Sequence, residues 1–146
     1  MEHIAIMKKS WHLTERILSG EKTVESRWYS SKRAPYGKIR AGETVYFKDS
    51  GEPVTLKARV KKVLEFSGLN PEKVGEILSR YGKTDGLRKG EIPKFFRLFK
   101  NKKYCVLIFL SEPRKVKPFE IDKRGFGNMS AWLCMESVDK IRVPRN

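Results

Sequence analysis
The chain has 146 residues, of which 39% are hydrophobic and 11% aromatic, so it is long enough for one domain with an adequate core. Its net charge is +15, from 32 Lys and Arg against 17 Asp and Glu, and the excess is spread along the chain. No apolar run approaches the roughly 20 residues of a membrane helix, no Cys or His pair has zinc-ligand spacing, and Met1-Glu2-His3-Ile4 lacks the order of a signal peptide.

A cytoplasmic protein with no membrane, metal or cofactor is therefore expected. Cys105 and Cys134 sit in apolar sequence and read as buried thiols rather than a disulfide. Gln is absent while Lys, Arg and Glu abound, which fits a thermophilic, archaeal source. Heat adaptation enriches both signs of charge, however. The positive excess points instead to a polyanionic partner, of which nucleic acid is the commonest.

In chain order, His3 to Met7 reads as a first strand. Ser10 is a plausible cap for a helix from Trp11 to Leu18, with Leu13, Ile17 and Leu18 buried and Gly20 ending it. A strand follows from Thr23 to Tyr29. Glu25 and Arg27 project from one face of it, Val24 and Trp28 from the other. Lys22 sits at the turn, and its long stem can swing toward the polar face. The same spacing suits a surface ion-pair strand worth about 0–1 kcal/mol per pair.

Residues 30–40 form a proline- and glycine-punctuated loop carrying Lys32, Arg33, Lys38 and Arg40 around Tyr36. Such a loop suits a phosphate backbone and a stacked base, and equally an ordinary solvated surface. Strands are expected over Thr44 to Lys48 and Val54 to Phe66, joined by a hairpin turn at residues 49–52. Lys57, Arg59 and Lys61 share one face of the second strand, and a parity slip near Lys61-Lys62 predicts a bulge.

Asn70, Pro71 and Glu72 open a well-signalled helix whose stripe is Val74, Ile77, Leu78 and Tyr81, with Gly82 ending it. After a loop, a second helix spans Ile92 to Lys100, with Phe95, Phe96, Leu98 and Phe99 inward as core. Tyr104 to Leu110 is apolar on both faces and reads as a covered central strand. Residues 111–119 read as a barrel corner or edge. The loop at 122–132 carries Arg124, Phe126, Asn128 and Trp132, which include types that stack on bases. A last strand is expected over Val138 to Val143.

The pattern of short strands and helical insertions predicts an α+β fold: a small β-barrel of five to six mixed strands with two to three helices packed outside. Gly20-x-Lys22-x-x-Glu25-x-Arg27, after the Ile-Leu-Ser-Gly helix ending, resembles the signature of the ASCH domain, a family of the PUA-like superfamily. The resemblance covers the chain from the first strand to at least Leu110, with residues 71–100 as the helical insertion.

This resemblance implies a PUA-like barrel with a cleft beside the signature strand, lined by Lys22, Glu25 and Arg27, and a role in binding nucleic acid, RNA ahead of DNA. Lys32, Arg33, Tyr36, Lys38, Arg40, Lys57, Arg59 and Lys61 would track the backbone, with Arg124, Phe126, Asn128 and Trp132 near the base. It also implies an enzymatic alternative, since one branch deacylates N4-acetylcytidine with a Lys, Thr and Glu set and another is described as a ribonuclease. Lys22 matches the amidohydrolase lysine. The threonine position is Glu25 here, which departs from the pattern because a carboxylate does not replace a hydroxyl nucleophile. Thr23 or Ser26 would have to supply the hydroxyl. The catalytic pair would then be Lys22 and Glu25, and the inserted carboxylate Asp85 or Glu91.

Overall fold
A computed structural model describes residues 1–127 and 129–144. Its strands are β1 (Glu2–Met7), β2 (Val24–Tyr29), β3 (Thr44–Asp49), β4 (Val54–Phe66), β5 (Tyr104–Phe119) and β6 (Trp132–Met135). The helices are α1 (Leu13–Ser19), α2 (Pro71–Tyr81) and α3 (Ile92–Phe99). The strands make one six-stranded sheet in the order β2-β5-β4-β3-β1-β6. β1 and β3 run parallel, and the other neighbours run antiparallel. The result is a curled, mixed half-barrel with three helices, an α+β PUA-like fold.

β2 and β6 are the two ends of the sheet, and one side chain bridges them. Arg27 of β2 donates to the carbonyl of Ile6 at the end of β1 (3.2 Å) and to that of Ala131 just before β6 (3.2 Å). The seam of the half-barrel is thus held by a guanidinium in place of a ladder. The main core fills the space between sheet and helices, with Val24, Phe47, Val74, Leu78 and Leu107 among its buried members. A second cluster, around Ile4, Val54, Phe119, Leu133 and Val138, covers another part of the sheet.

Several local rules account for the elements. Asn70 Oδ1 accepts from the Lys73 amide (2.9 Å) and caps α2. Gly20 ends α1 in the left-handed region at φ +86°. The expected bulge lies between Val60 and Lys62, where Lys61 has no opposite number on β5. Cys105 and Cys134 are free thiols.

Four expectations need correction. Ser10 is not a cap: it lies in a short 3-10 turn, Lys9–Trp11, and His12 at φ +56° separates that turn from α1. Leu18 is 38% and Leu98 49% exposed, so α1 buries Leu13 and Ile17, and α3 turns Ile92, Phe95, Phe96 and Phe99 to the core. Residues 111–119 settle as the edge and not the corner, because β5 runs on through them beside β4 alone, with a register shift at Glu112, which has φ +53°. The last strand is Trp132–Met135, since those apolar residues pair with β1, while Val138–Lys140 forms a 3-10 turn.

Candidate functional site
A cleft of about 180 Å³ opens where β2 faces the end of β1. Its lining includes Glu25, Ser26, Arg27, Trp28 and Tyr29 of β2, Ile6, Met7, Lys8 and Trp11 opposite, and Asp85, Leu87, Phe95 and Phe99 from the inserted segment. The loop after α2 brings Asp85 to the signature strand.

Beneath the cleft lies a buried ionic knot. Lys22 is only 2% exposed. Its ammonium donates to the carbonyls of Val24 (2.7 Å) and Asp85 (2.8 Å) and to the Asp85 carboxylate, and it lies 3.1 Å from Glu25 Oε1. Glu25 Oε1 also accepts from the Ser26 amide (3.1 Å), while its Oε2 accepts from Arg27 Nε (3.2 Å) and Nη2 (3.0 Å). Ser26 Oγ donates to Asp85 Oδ2 (2.6 Å) and accepts from the Trp28 indole (3.0 Å). Lys22 fits so closely because residue 86 is glycine. A Cβ there would stand 2.7 Å from the Lys22 Cβ, and Gly86 itself has φ +82°.

The surroundings set the protonation of the three groups. Burial alone would lower the Lys22 ammonium, but Asp85 and Glu25 outweigh it and hold the lysine charged, above its ordinary range. Burial likewise pushes Glu25 up, yet Lys22 and Arg27 together bring it below the usual carboxylate range. Asp85 ends on the other side: burial raises it, and Lys22 recovers only part of the shift while Glu25 adds to it. Two carboxylates around one lysine are thus driven apart, the pattern by which acid and base roles are separated.

The structure therefore brings Lys22, Glu25, Arg27 and Asp85 together. Glu91 goes elsewhere, to Arg16 (2.7 Å). Lys32 and Arg33 are exposed and lie over the rings of Tyr36 (5.9 Å) and Tyr29 (5.8 Å), and Tyr36 packs edge-on against Tyr104 (5.4 Å). Lys38 and Arg40 are also exposed. Lys57 and Arg59 line a separate groove with Thr44, Glu112 and Arg114, and Lys61 is exposed at the bulge. Arg124 pairs with Asp122 (2.6 Å), and Phe126 packs into the second cluster. Trp132 is 4% exposed, its indole donates to His3 Nδ1 (3.1 Å), and Arg27 covers its face, so its ring is closed to a base. Asn128 lies outside the described residues.

The sequence reading missed the far wall and rim of the cleft. Lys8 and Lys94 are exposed and stand over the rings of Trp11 (5.2 Å) and Phe95 (5.8 Å). The alternation of Lys8 with Trp11 and Lys94 with Phe95 was the available signal.

No protein-family model matches the sequence, and no curated protein matches it. Solved structures do. An ASCH protein from Zymomonas mobilis superposes with a TM-score of 0.67 at 17% identity, covering 95% of this chain and 90% of that one. The N-terminal domain of McrB from Staphylothermus marinus superposes with a TM-score of 0.58 at 15% identity, again covering 95% and 90%. Since the first of these is an ASCH protein matched over nearly its whole length, the chain has the ASCH fold that the motif from Gly20 to Arg27 implied.

Proposed function
We propose that this is a nucleic-acid-binding domain, with single-stranded RNA as its ligand, that receives part of the strand in the cleft beside β2. The observation that carries this reading is the rim. Lys8, Arg33 and Lys94 are exposed, and each stands over an aromatic ring, Trp11, Tyr29 or Phe95, that lines the cleft. Cations at a mouth with aromatic walls suit a phosphate chain outside and a stacked base within. Lys22 and Arg27 build the floor and the seam, and the rim contacts phosphate. The preference for RNA over DNA rests on the family resemblance, and matched DNA oligonucleotides test it.

The experiment is fluorescence anisotropy with a labelled single-stranded RNA at 50 and 200 mM salt. Three to four phosphate contacts predict a loss of roughly 20–50-fold in affinity between the two. A Lys8→Ala/Arg33→Ala/Lys94→Ala variant is expected to bind weakly and to lose about two from the logarithmic salt slope. Binding that ignores salt, or a variant that binds like the parent, overturns the reading.

A second reading, a deacylase of an N-acylated nucleoside, is favoured by the hydrogen bond from Ser26 Oγ to Asp85 (2.6 Å). A hydroxyl in the cleft, beside a carboxylate that Lys22 orients, has the relation of nucleophile to base. It would supply the hydroxyl that Glu25 cannot. Turnover of N4-acetylcytidine that is lost in Ser26→Ala would establish it, and turnover that persists would refute it.

A further inference from the structure
β2 ends the sheet, and its outer edge borders the cleft. Its register with β5 turns the main-chain groups of Glu25, Arg27 and Tyr29 toward β5 and those of Val24, Ser26 and Trp28 away from it. The outward groups at the start of the strand are used. The Val24 amide donates to Thr84 (2.9 Å), the Val24 carbonyl accepts from Lys22, and the Ser26 amide is held by Glu25. Among the described residues, no partner meets the Ser26 carbonyl or the outward groups of Trp28.

An added peptide strand is the usual occupant of a free sheet edge. Here it is blocked twice, at the capped groups of Val24 and Ser26 and at Arg27, which reaches across the seam. What stays open is the Ser26 carbonyl, followed by the amide and carbonyl of Trp28, beside a cleft of about 180 Å³. That is small beside the ~300–1,000 Å³ of common ligand sites and suits a single ring system. Trp11, Leu87 and Phe95 give it apolar walls. The carboxylates of Glu25 and Asp85 also line the cleft, together with the cations Lys8 and Arg27.

We propose that this edge reads a nucleobase bearing an exocyclic amino group, with the Ser26 carbonyl accepting one amino hydrogen and the Trp28 amide donating to the neighbouring ring nitrogen. The inference rests on the nucleic-acid reading above and names the base class. An amino group brings two hydrogens, one for the Ser26 carbonyl and one for a flanking carboxylate. Uracil places a carbonyl oxygen opposite the Ser26 carbonyl and a ring N–H opposite the Trp28 amide, and leaves both main-chain groups unsatisfied.

The test uses three hexanucleotides of equal charge, oligo-C, oligo-A and oligo-U, so that the phosphate contribution is common to all. Oligo-C and oligo-A are expected to bind about tenfold tighter than oligo-U. A hexamer with pyrimidin-2-one in place of cytosine, lacking only the amino group, should fall to the oligo-U value. In 15N-resolved NMR titrations with oligo-C, the Trp28 amide should shift. Equal, salt-dependent binding of all the hexamers, or a Trp28 amide that stays still while the rim amides move, overturns the base reading and leaves the nucleic-acid reading standing. Absence of salt-dependent binding by any hexamer overturns both.

Discussion

The positive charge of this protein is used in two opposite ways within one small region. In the knot under the cleft, Lys22 and Arg27 are held by internal partners: two carboxylates, main-chain carbonyls, the Met7 sulfur and the ring of Trp132. Lys8, Arg33 and Lys94, the proposed rim, are exposed, each over an aromatic face. Buried charge is expensive unless it is fully paired, whereas exposed charge contributes little to stability and stays available for a partner. The buried motif residues and the exposed cations are therefore different sets, although they lie around one cleft. Stability should depend on the first set and, under the function proposed above, polyanion binding on the second.

The sharpest way to break this contrast is to remove the lysine of the knot. Lys22→Met leaves Glu25 buried with Arg27 and takes from the buried Asp85 the cation that pairs with it, and the expected cost is about 3–5 kcal/mol in urea unfolding. A cost below about 1 kcal/mol would mean that the knot is wet and loosely held. Gly86→Ala should follow, at about 2–4 kcal/mol, because the new Cβ would both collide with the Lys22 stem and occupy a left-handed backbone. The rim variants give the opposite result. Lys8→Ala, Arg33→Ala and Lys94→Ala should each leave stability within about 0.5 kcal/mol while weakening RNA binding. Rim variants that unfold the chain would erase the distinction.

How much of this was legible in the sequence follows from the same division. The short-range part was clear: Gly20-x-Lys22-x-x-Glu25-x-Arg27 fixes a turn and a strand on which the three charges must meet, and they do meet. The long-range part was not. Asp85 stands 63 residues from Lys22, in a loop whose sequence gives no sign of which way the insertion folds. Glu91 looked as good and went to Arg16. Trp132 shows the limit of reading residue type without burial: its aromatic ring suits stacking, but pairing of β6 with β1 closes it against His3 and Arg27. The same pairing explains why the last strand came earlier than the expected Val138 to Val143. A short edge strand is defined by its neighbour more than by its own pattern.

Acid titration gives the finest test of the knot, because its two carboxylates carry opposite signs. Stability rises with pH wherever the unfolded chain binds more protons than the folded one. Glu25 is depressed in the fold by Lys22 and Arg27 against the push of burial, so its contribution is complete above the ordinary carboxylate range and is lost as pH falls through its folded value. Asp85 is raised, chiefly by burial, so its contribution is complete below its unfolded value and is lost as pH rises through its folded one. Around the ordinary carboxylate range, about pH 4, the two slopes oppose each other. Asp85→Asn removes the falling slope, so its stability should drop more steeply than the parent's on acidification. Glu25→Gln removes the rising slope, so its curve should flatten or invert. The exposed ion pairs titrate alike in all three chains and cancel in the differences. Urea midpoints measured across that range decide the matter: two variants that shift the slope in the same direction would show that Lys22 treats both carboxylates alike, and the division of roles beneath the cleft would fall.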